Sequence, residues 1–173
     1  MKTLLLLRHA KSSWSTSAQR DFDRPLNERG RRAAGLMGAY MQAKGLRPDI
    51  IYCSGAARTR ETLSRLNITP APPAMFKDQL YLASARRLLD EIHTASDAHG
   101  SLLLVGHNPG MEELSAALVD PARSNSAMIQ KLSDKYPTAA LAHFEFDAGQ
   151  WSDIALRRGV LNRFQRPRDL AHG

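Results

Sequence analysis

Four consecutive leucines, Leu4–Leu7, stop abruptly at Arg8 and His9. So short an apolar run fits a strand buried on both faces. It falls short of a secretory signal, which needs about 7–15 apolar residues before its cleavage site, and of a membrane helix, which needs about 18 or more. Two further runs of the same kind, Ile50–Cys53 and Leu102–Val105, give way to polar or glycine-containing residues and then to a helical pattern. Continuous apolar strands belong to mostly parallel sheets covered by helices on both faces. The expected fold is α/β, a three-layer α/β/α arrangement around a mostly parallel central sheet, in one domain spanning 1–173.

Helical spacing is expected over Asn27–Lys44 with Gly45 as its stop, Ala57–Leu66, Ser84–Ala98 with Ser84 as N-cap, and Met111–Leu118. The stretch PAPPA at 70–74 reads as a connector, and Ala140–Asp147 with Asp153–Arg158 as an antiparallel pair. Cys53 is the sole cysteine, so the chain holds neither a disulfide nor a Cys-based zinc site, and a cytoplasmic location is expected. The net charge of +7 points to anionic partners. Because much of that excess is arginine, whose planar fork matches phosphate oxygens, phosphate in some form is favoured.

In an open α/β sheet, ligands sit beyond the carboxyl ends of the strands. The first strand end offers Arg8 and His9, the second Ser54 with Arg58 one turn on, and the third Gly106, His107 and Asn108. Two histidines and two arginines at one sheet edge repel and desolvate one another unless an anion shares the pocket. The two guanidiniums would hold the oxygens of a phosphoryl group, and charge neutralisation with positioning is most of phosphoryl-transfer catalysis. A neutral His9, kept unprotonated by the cations around it, would attack phosphorus, and a cationic His107 would donate to the transferring group. No carboxylate cluster has metal-binding spacing, so no metal or other cofactor is expected.

These same residues carry a resemblance. The segments L-R-H-A at 7–10, S-G-A-A-R-T-R-E-T at 54–62 and V-G-H-N-P at 105–109 resemble the signatures of the histidine phosphatase superfamily, the phosphoglycerate-mutase-like fold, with Ala10 where the usual motif has glycine. R-H-A-K-S at 8–12, Asp21 with Arg24-Pro25-Leu26 and Gly30, Leu80-Tyr81 with Ala83-Ser84, and P-T-x-A-L-A at 137–142 are similar to its SixA-type branch of phosphohistidine phosphatases. The resemblance covers essentially the whole chain. It implies that His9 is the phosphorylated nucleophile, that Arg8 and Arg58 bind phosphate and that His107 completes the pocket. Asn108 and Ser54 would line the substrate site. Arg24 would add a phosphate contact, or else hold its loop by a salt bridge to Asp21 or Asp23. Larger members place a mid-chain carboxylic acid to protonate an alcohol leaving group. Here that region reads DQLYLAS, which favours phosphoramidates, with Asp21, Asp23 or Asp78 as possible substitutes for the acid.

The expected activity is a metal-independent phosphatase acting on a phosphorylated protein, with a small-molecule phosphatase or mutase as the alternative within the superfamily. The alternative outside it is a basic module that binds phosphate or nucleic acid without catalysis. Its best support is RRGVLNRFQRPRDL, where Phe164 lies among Arg157, Arg158, Arg163, Arg166 and Arg168. No nucleic-acid module is recognisable, so nucleic acid is not the expected partner, nor is a membrane. His93, His99, His143 and His172 show no pairing that suggests metal and read as structural or solvated. Ser54 lacks a nucleophile-elbow motif and reads also as a helix cap, with Cys53 as a small hydrophobe.

Overall fold

The structure, a computed structural model, describes residues 1–14 and 19–170. Six strands, β1 (Lys2–Arg8), β2 (Ile50–Ser54), β3 (Ala74–Lys77), β4 (Ser101–Gly106), β5 (Leu141–Phe146) and β6 (Val160–Gln165), form one sheet in the order β3-β2-β4-β1-β5-β6. The first four are mutually parallel; β5 runs antiparallel to β1, and β6 antiparallel to β5. The helices are α1 (Glu28–Ala43), α2 (Ala57–Leu66), α3 (Ala85–Ile92), α4 (Gly110–Leu118), α5 (Ser126–Asp134) and α6 (Pro167–Leu170). This is the expected mostly parallel sheet between helical layers.

The leucine run explains itself once both faces are covered. Leu4 and Leu6 pack with Leu88 and Ile92 of α3 and with Met111 and Leu114 of α4. Leu5 and Leu7 point the other way, to Met37 and Met41 of α1 and Leu66 of α2. Each buried leucine contributes about 1.5–3 kcal/mol, so every position in the run carries weight. Helix α1 approaches α2 closely because Gly38 lacks a side chain: a Cβ there would stand 2.1 Å from the Leu66 carbonyl oxygen. Leu36, next to Met37 on α1, is 41% exposed.

Three boundaries differ from the sequence reading. Strand β3 begins inside the expected connector; it is an exposed edge held by backbone pairing to β2, so it carries no apolar alternation. The second strand of the late pair lies at Val160–Gln165 instead of Asp153–Arg158, where a short turn and a left-handed Arg157 (φ 62°) interrupt the chain. Helix α3 stops at Ile92, and α5 was not foreseen, although Asn125 caps it by accepting from the Ala127 and Met128 amides. The stops at Gly45 (φ 67°) and the Ser84 cap, which accepts from Arg87 N–H, are as expected. No helix among the described residues is long and apolar enough to cross a membrane.

Candidate active site

The sheet order decides which strand ends meet. Because β4 lies between β1 and β2, His107 stands between His9 and Ser54. The two imidazole rings are 5.2 Å apart, centroid to centroid, and the His107 Nε2 is 2.8 Å from Ser54 Oγ. Ser54 Oγ already accepts from the Ala56 amide at 3.3 Å. Oγ keeps a second lone pair as well as its proton, so the direction of the His107 bond follows the tautomer of the ring. His107 Nδ1 is buried with no hydrogen-bond partner among the described residues. Burial first, and then His9 and Arg58, push the His107 pKa down to about 3. The expected cationic His107 is thus corrected: without an anion beside it, the ring is neutral.

His9 donates from Nδ1 to the Ala10 carbonyl oxygen at 2.7 Å, which leaves the Nε2 lone pair on the other side of the ring. Its pKa is lowered to about 4, chiefly by burial; Arg58, Arg8 and Arg24 add to the effect while the Ala10 bond opposes it. The sequence reading assigned this neutrality to the cations. In the structure they are secondary to desolvation.

The arginines are anchored from behind. Arg8 donates Nη1 to the Tyr136 carbonyl at 3.0 Å, and Arg58 donates Nη1 to the Asp21 carbonyl at 2.7 Å and Nη2 to Asp21 Oδ2 at 3.0 Å. Arg24 donates Nε to Asp21 Oδ1 at 3.0 Å and Nη1 to Ser12 Oγ at 2.7 Å, while its guanidinium stacks on Trp14 at 3.5 Å. Arg24 forms the expected salt bridge to Asp21, and it also lines the cleft. Asp21 also accepts from the Tyr81 hydroxyl. That bond first, with those from Arg58 and Arg24, draws the Asp21 pKa down to about 2. Asp21 as a proton donor is therefore corrected: it is a firmly ionised anchor that braces two arginines.

The segment R-T-R-E-T on α2 ties the site together. Thr62 Oγ1 accepts from the Ala10 amide at 2.9 Å and donates to the Arg58 carbonyl at 2.7 Å, linking the residue after His9 to the helix that carries Arg58. Glu61 accepts from the Leu26 amide and from Arg31, holding the segment that brings Arg24 round. Gly30 lets α1 close on the same loop, since a Cβ there would meet the Lys11 carbonyl oxygen at 2.1 Å.

The resulting cleft has a volume of about 290 Å³ and includes Arg8, His9, Arg24, Arg58, His107 and Asn108 in its walls. Ser54 does not reach it; fully buried, it serves His107 from behind. Asn108 lines the cleft but is held at both ends, donating to the Tyr136 carbonyl and accepting from the Glu112 amide. Lys11, Ser12, Trp14, Leu82 and Thr138 complete the walls, and sequence reasoning gave none of them a role. Leu82 reaches the rim from a left-handed backbone (φ 50°), a strained choice for leucine that no pattern announces. Tyr136 was missed because it contributes its carbonyl, which any residue type possesses. No carboxyl group appears among the described residues of the cleft wall. Its chemistry is that of an anion site, with the donors Arg8 Nε and Arg58 Nε and the ring nitrogen His107 Nδ1 buried and without hydrogen-bond partners among the described residues.

Other expectations fall elsewhere. His93 bonds the Ile154 carbonyl, and His143 sits in β5 near Glu145; His172 lies outside the described residues. Cys53 is buried, its thiol pushed up to about 12 by burial. Phe164 is packed edge-on against Tyr136 in the core, so it offers no stacking surface to a nucleobase.

Comparison with known proteins agrees with this geometry. Residues 4–81 match the family model described as histidine phosphatase superfamily (branch 1). An uncharacterised protein of Mycobacterium tuberculosis is 35% identical over 162 residues, covering 94% of this chain and 100% of that protein. Among solved structures, a candidate phosphohistidine phosphatase SixA from Nakamurella multipartitia superposes with a TM-score of 0.83 at 30% identity, over 96% of each chain. A second candidate SixA, from Agrobacterium tumefaciens, gives 0.79 at 30% identity over 96% of this chain and 98% of that one. The chain belongs to the histidine phosphatase superfamily and is a phosphatase of that class. Within the superfamily its likeness runs to the SixA type.

Proposed function

We propose that this phosphatase hydrolyses phosphohistidine on a protein, through a phosphohistidine of its own formed at His9. The observation that carries the reading is the His9 ring: neutral, fixed by its Nδ1–H bond to Ala10, and set in a cleft walled by Arg8, Arg24 and Arg58. Nε2 would supply the electron pair for a new N–P bond as the bond from phosphorus to the substrate imidazole breaks. That imidazole leaves neutral, carrying a proton from solvent. Water then attacks phosphorus, the His9 N–P bond breaks, and phosphate departs with His9 restored. The guanidiniums of Arg8 and Arg58, with the His107 ring, would hold the equatorial oxygens, where charge in the transition state is greatest. The guanidiniums in the wall attract an anion and repel a metal cation, so the reading is metal-independent.

The substrate class follows from the leaving group. A wall without a carboxylic acid, and with Asp21 ionised, favours a substrate whose leaving group needs little protonation; phosphohistidine meets that condition better than a sugar phosphate. The two SixA candidates at 30% identity support the same class.

The test has two arms. Turnover of p-nitrophenyl phosphate in EDTA should fall roughly a thousandfold or more in His9→Ala; an unchanged rate would place the nucleophile elsewhere. In a panel, kcat/KM for a phosphohistidine protein should exceed that for sugar phosphates by at least about 100-fold, the lower range of what a general acid supplies. Equal rates would overturn the substrate assignment while leaving the nucleophile intact.

A further inference from the structure

A second hollow of about 650 Å³ adjoins the cleft and shares Lys11 and Thr138 with it. Its lining holds Lys11, Arg29, Arg32, Lys135, Arg166 and Arg168 against a single carboxylate, Asp134. Arg166 is paired with Asp169 at 2.9 Å, and Arg168 lies 3.9 Å from the same residue. By contrast, Lys11, Arg29, Arg32 and Lys135 form no ion pair among the described residues.

Local structure does not account for these charges. Arg29, Arg31 and Arg32 all fall at the start of α1, the helix end whose dipole favours anions. Arg31 is offset by Glu61 and Glu28, yet Arg29 and Arg32, one turn apart and exposed, have no acidic partner among the described residues. Leu36, next along the same face, is exposed into this groove beside Ala33 and Pro137. The surface is therefore cationic with an apolar floor, and it opens directly onto the residues that flank His9.

We propose that this groove docks an acidic segment of the phosphorylated protein and presents its phosphohistidine to the cleft. The inference rests on the reading of the cleft as the phosphoryl site and adds where the rest of the substrate lies. Apart from Arg166, which is largely buried, the cations are solvent-exposed and arise from separate segments, which suits an extended acidic face better than a compact anion needing convergent, desolvated donors. Nucleic acid fits poorly, because no aromatic side chain among the described residues lines the groove to stack a base.

The test reads binding separately from catalysis. Two fluorescent, unphosphorylated peptides of equal length, one with glutamates and one with serines around a central histidine, are titrated with the full chain by anisotropy. At low salt the acidic peptide should bind roughly tenfold tighter or more, since each exposed ion pair is worth at most about fivefold. The preference should vanish in R29E/R32E and in K135E/R168E, and also at about 0.3 M salt, where screening shortens the reach of surface charge. Turnover of p-nitrophenyl phosphate by both variants should stay within about twofold of wild type, since neither changes a group placed on phosphorus. Equal affinity for the two peptides, a preference that survives both charge reversals, or tighter binding of single-stranded RNA of equal charge would overturn the docking assignment. Failure of the His9→Ala test would instead remove the reading of the cleft, a result these titrations do not depend on.

Discussion

His9, Arg58 and His107 are 7%, 3% and 2% exposed, lie at or just beyond neighbouring strand ends, and are fixed by hydrogen bonds from behind. Of the cations in the adjoining groove, Lys11, Arg29, Arg32 and Lys135 stand in solvent on helices and loops, with no ion pair among the described residues. The two regions meet at Lys11 and Thr138, yet charge acts differently in each. In the cleft, desolvation keeps imidazoles neutral and strengthens each guanidinium–phosphate contact. In the groove, water screens every pair, so many charges must act together. A buried cationic site lends itself to chemistry and an exposed one to encounter.

The largest effect that separates the regions comes from removing one arginine in each. Arg58→Ala should lower kcat/KM for p-nitrophenyl phosphate roughly 30- to 1000-fold, equivalent to about 2–4 kcal/mol of transition-state stabilisation. Arg29→Ala should leave that rate within about twofold. Steady-state kinetics at fixed ionic strength decides the matter; similar losses in both would dissolve the distinction between cleft and groove.

A smaller effect, about tenfold in rate, is expected from Ser54→Ala, which never touches substrate. Without the serine hydroxyl, His107 Nε2 loses its partner, and with it the bond that fixes the tautomer and angle of the ring. The buried, unpaired nitrogen should also destabilise the fold by about 1–3 kcal/mol. Ring nitrogen chemical shifts would read the tautomer directly. A variant that keeps the wild-type tautomer and rate would show that Ser54 is only packing.

Much of the cleft was legible in the chain because strand ends announce themselves. A buried run that stops in Arg8-His9, or in Gly106-His107, states both where the residue lies and which way the strand delivers it. Pairing order was not legible, and only with β4 between β1 and β2 does Ser54 become a partner of His107. Asp21 read as a candidate acid because the sequence does not reveal that Tyr81, Arg58 and Arg24 converge on one carboxylate. The arginines of RRGVLNRFQRPRDL were visible as charge, but their separation into a buried strand, a turn and a groove wall depends on β6 starting at Val160. The bracing role of Tyr136 left no mark at all, since it is exerted by a backbone carbonyl that accepts from both Arg8 and Asn108.

Asp21→Asn should have a milder consequence than either change above, about three- to tenfold in rate. An amide still accepts from one arginine but no longer holds the Arg58 and Arg24 pair by charge, so orientation loosens without loss of a phosphate ligand. If Asp21 were the proton donor, the loss would be far larger for a poor leaving group than for p-nitrophenolate. Comparing an alkyl phosphate with p-nitrophenyl phosphate therefore separates bracing, which lowers both rates alike, from acid catalysis.

The smallest expected change appears on acidification from pH 7 to 5. His9 and His107 have folded pKa values of about 4 and about 3, both below the ordinary histidine value of 6.5. Over that window the unfolded chain takes up protons that the folded chain refuses, so stability should decline as the pH falls below about 6.5, by at most about 1.4 kcal/mol per ring per pH unit. The rings themselves should stay neutral, with the His9 lone pair available throughout. In the groove, affinity for the acidic peptide should hold until the peptide's glutamates protonate near about pH 4.3. Ring nitrogen NMR and denaturant titrations across this range test both halves together. Protonation of either ring near pH 6.5, without loss of stability on acidification, would mean that water reaches the strand ends as freely as the groove, and that burial does not set the chemistry of the cleft.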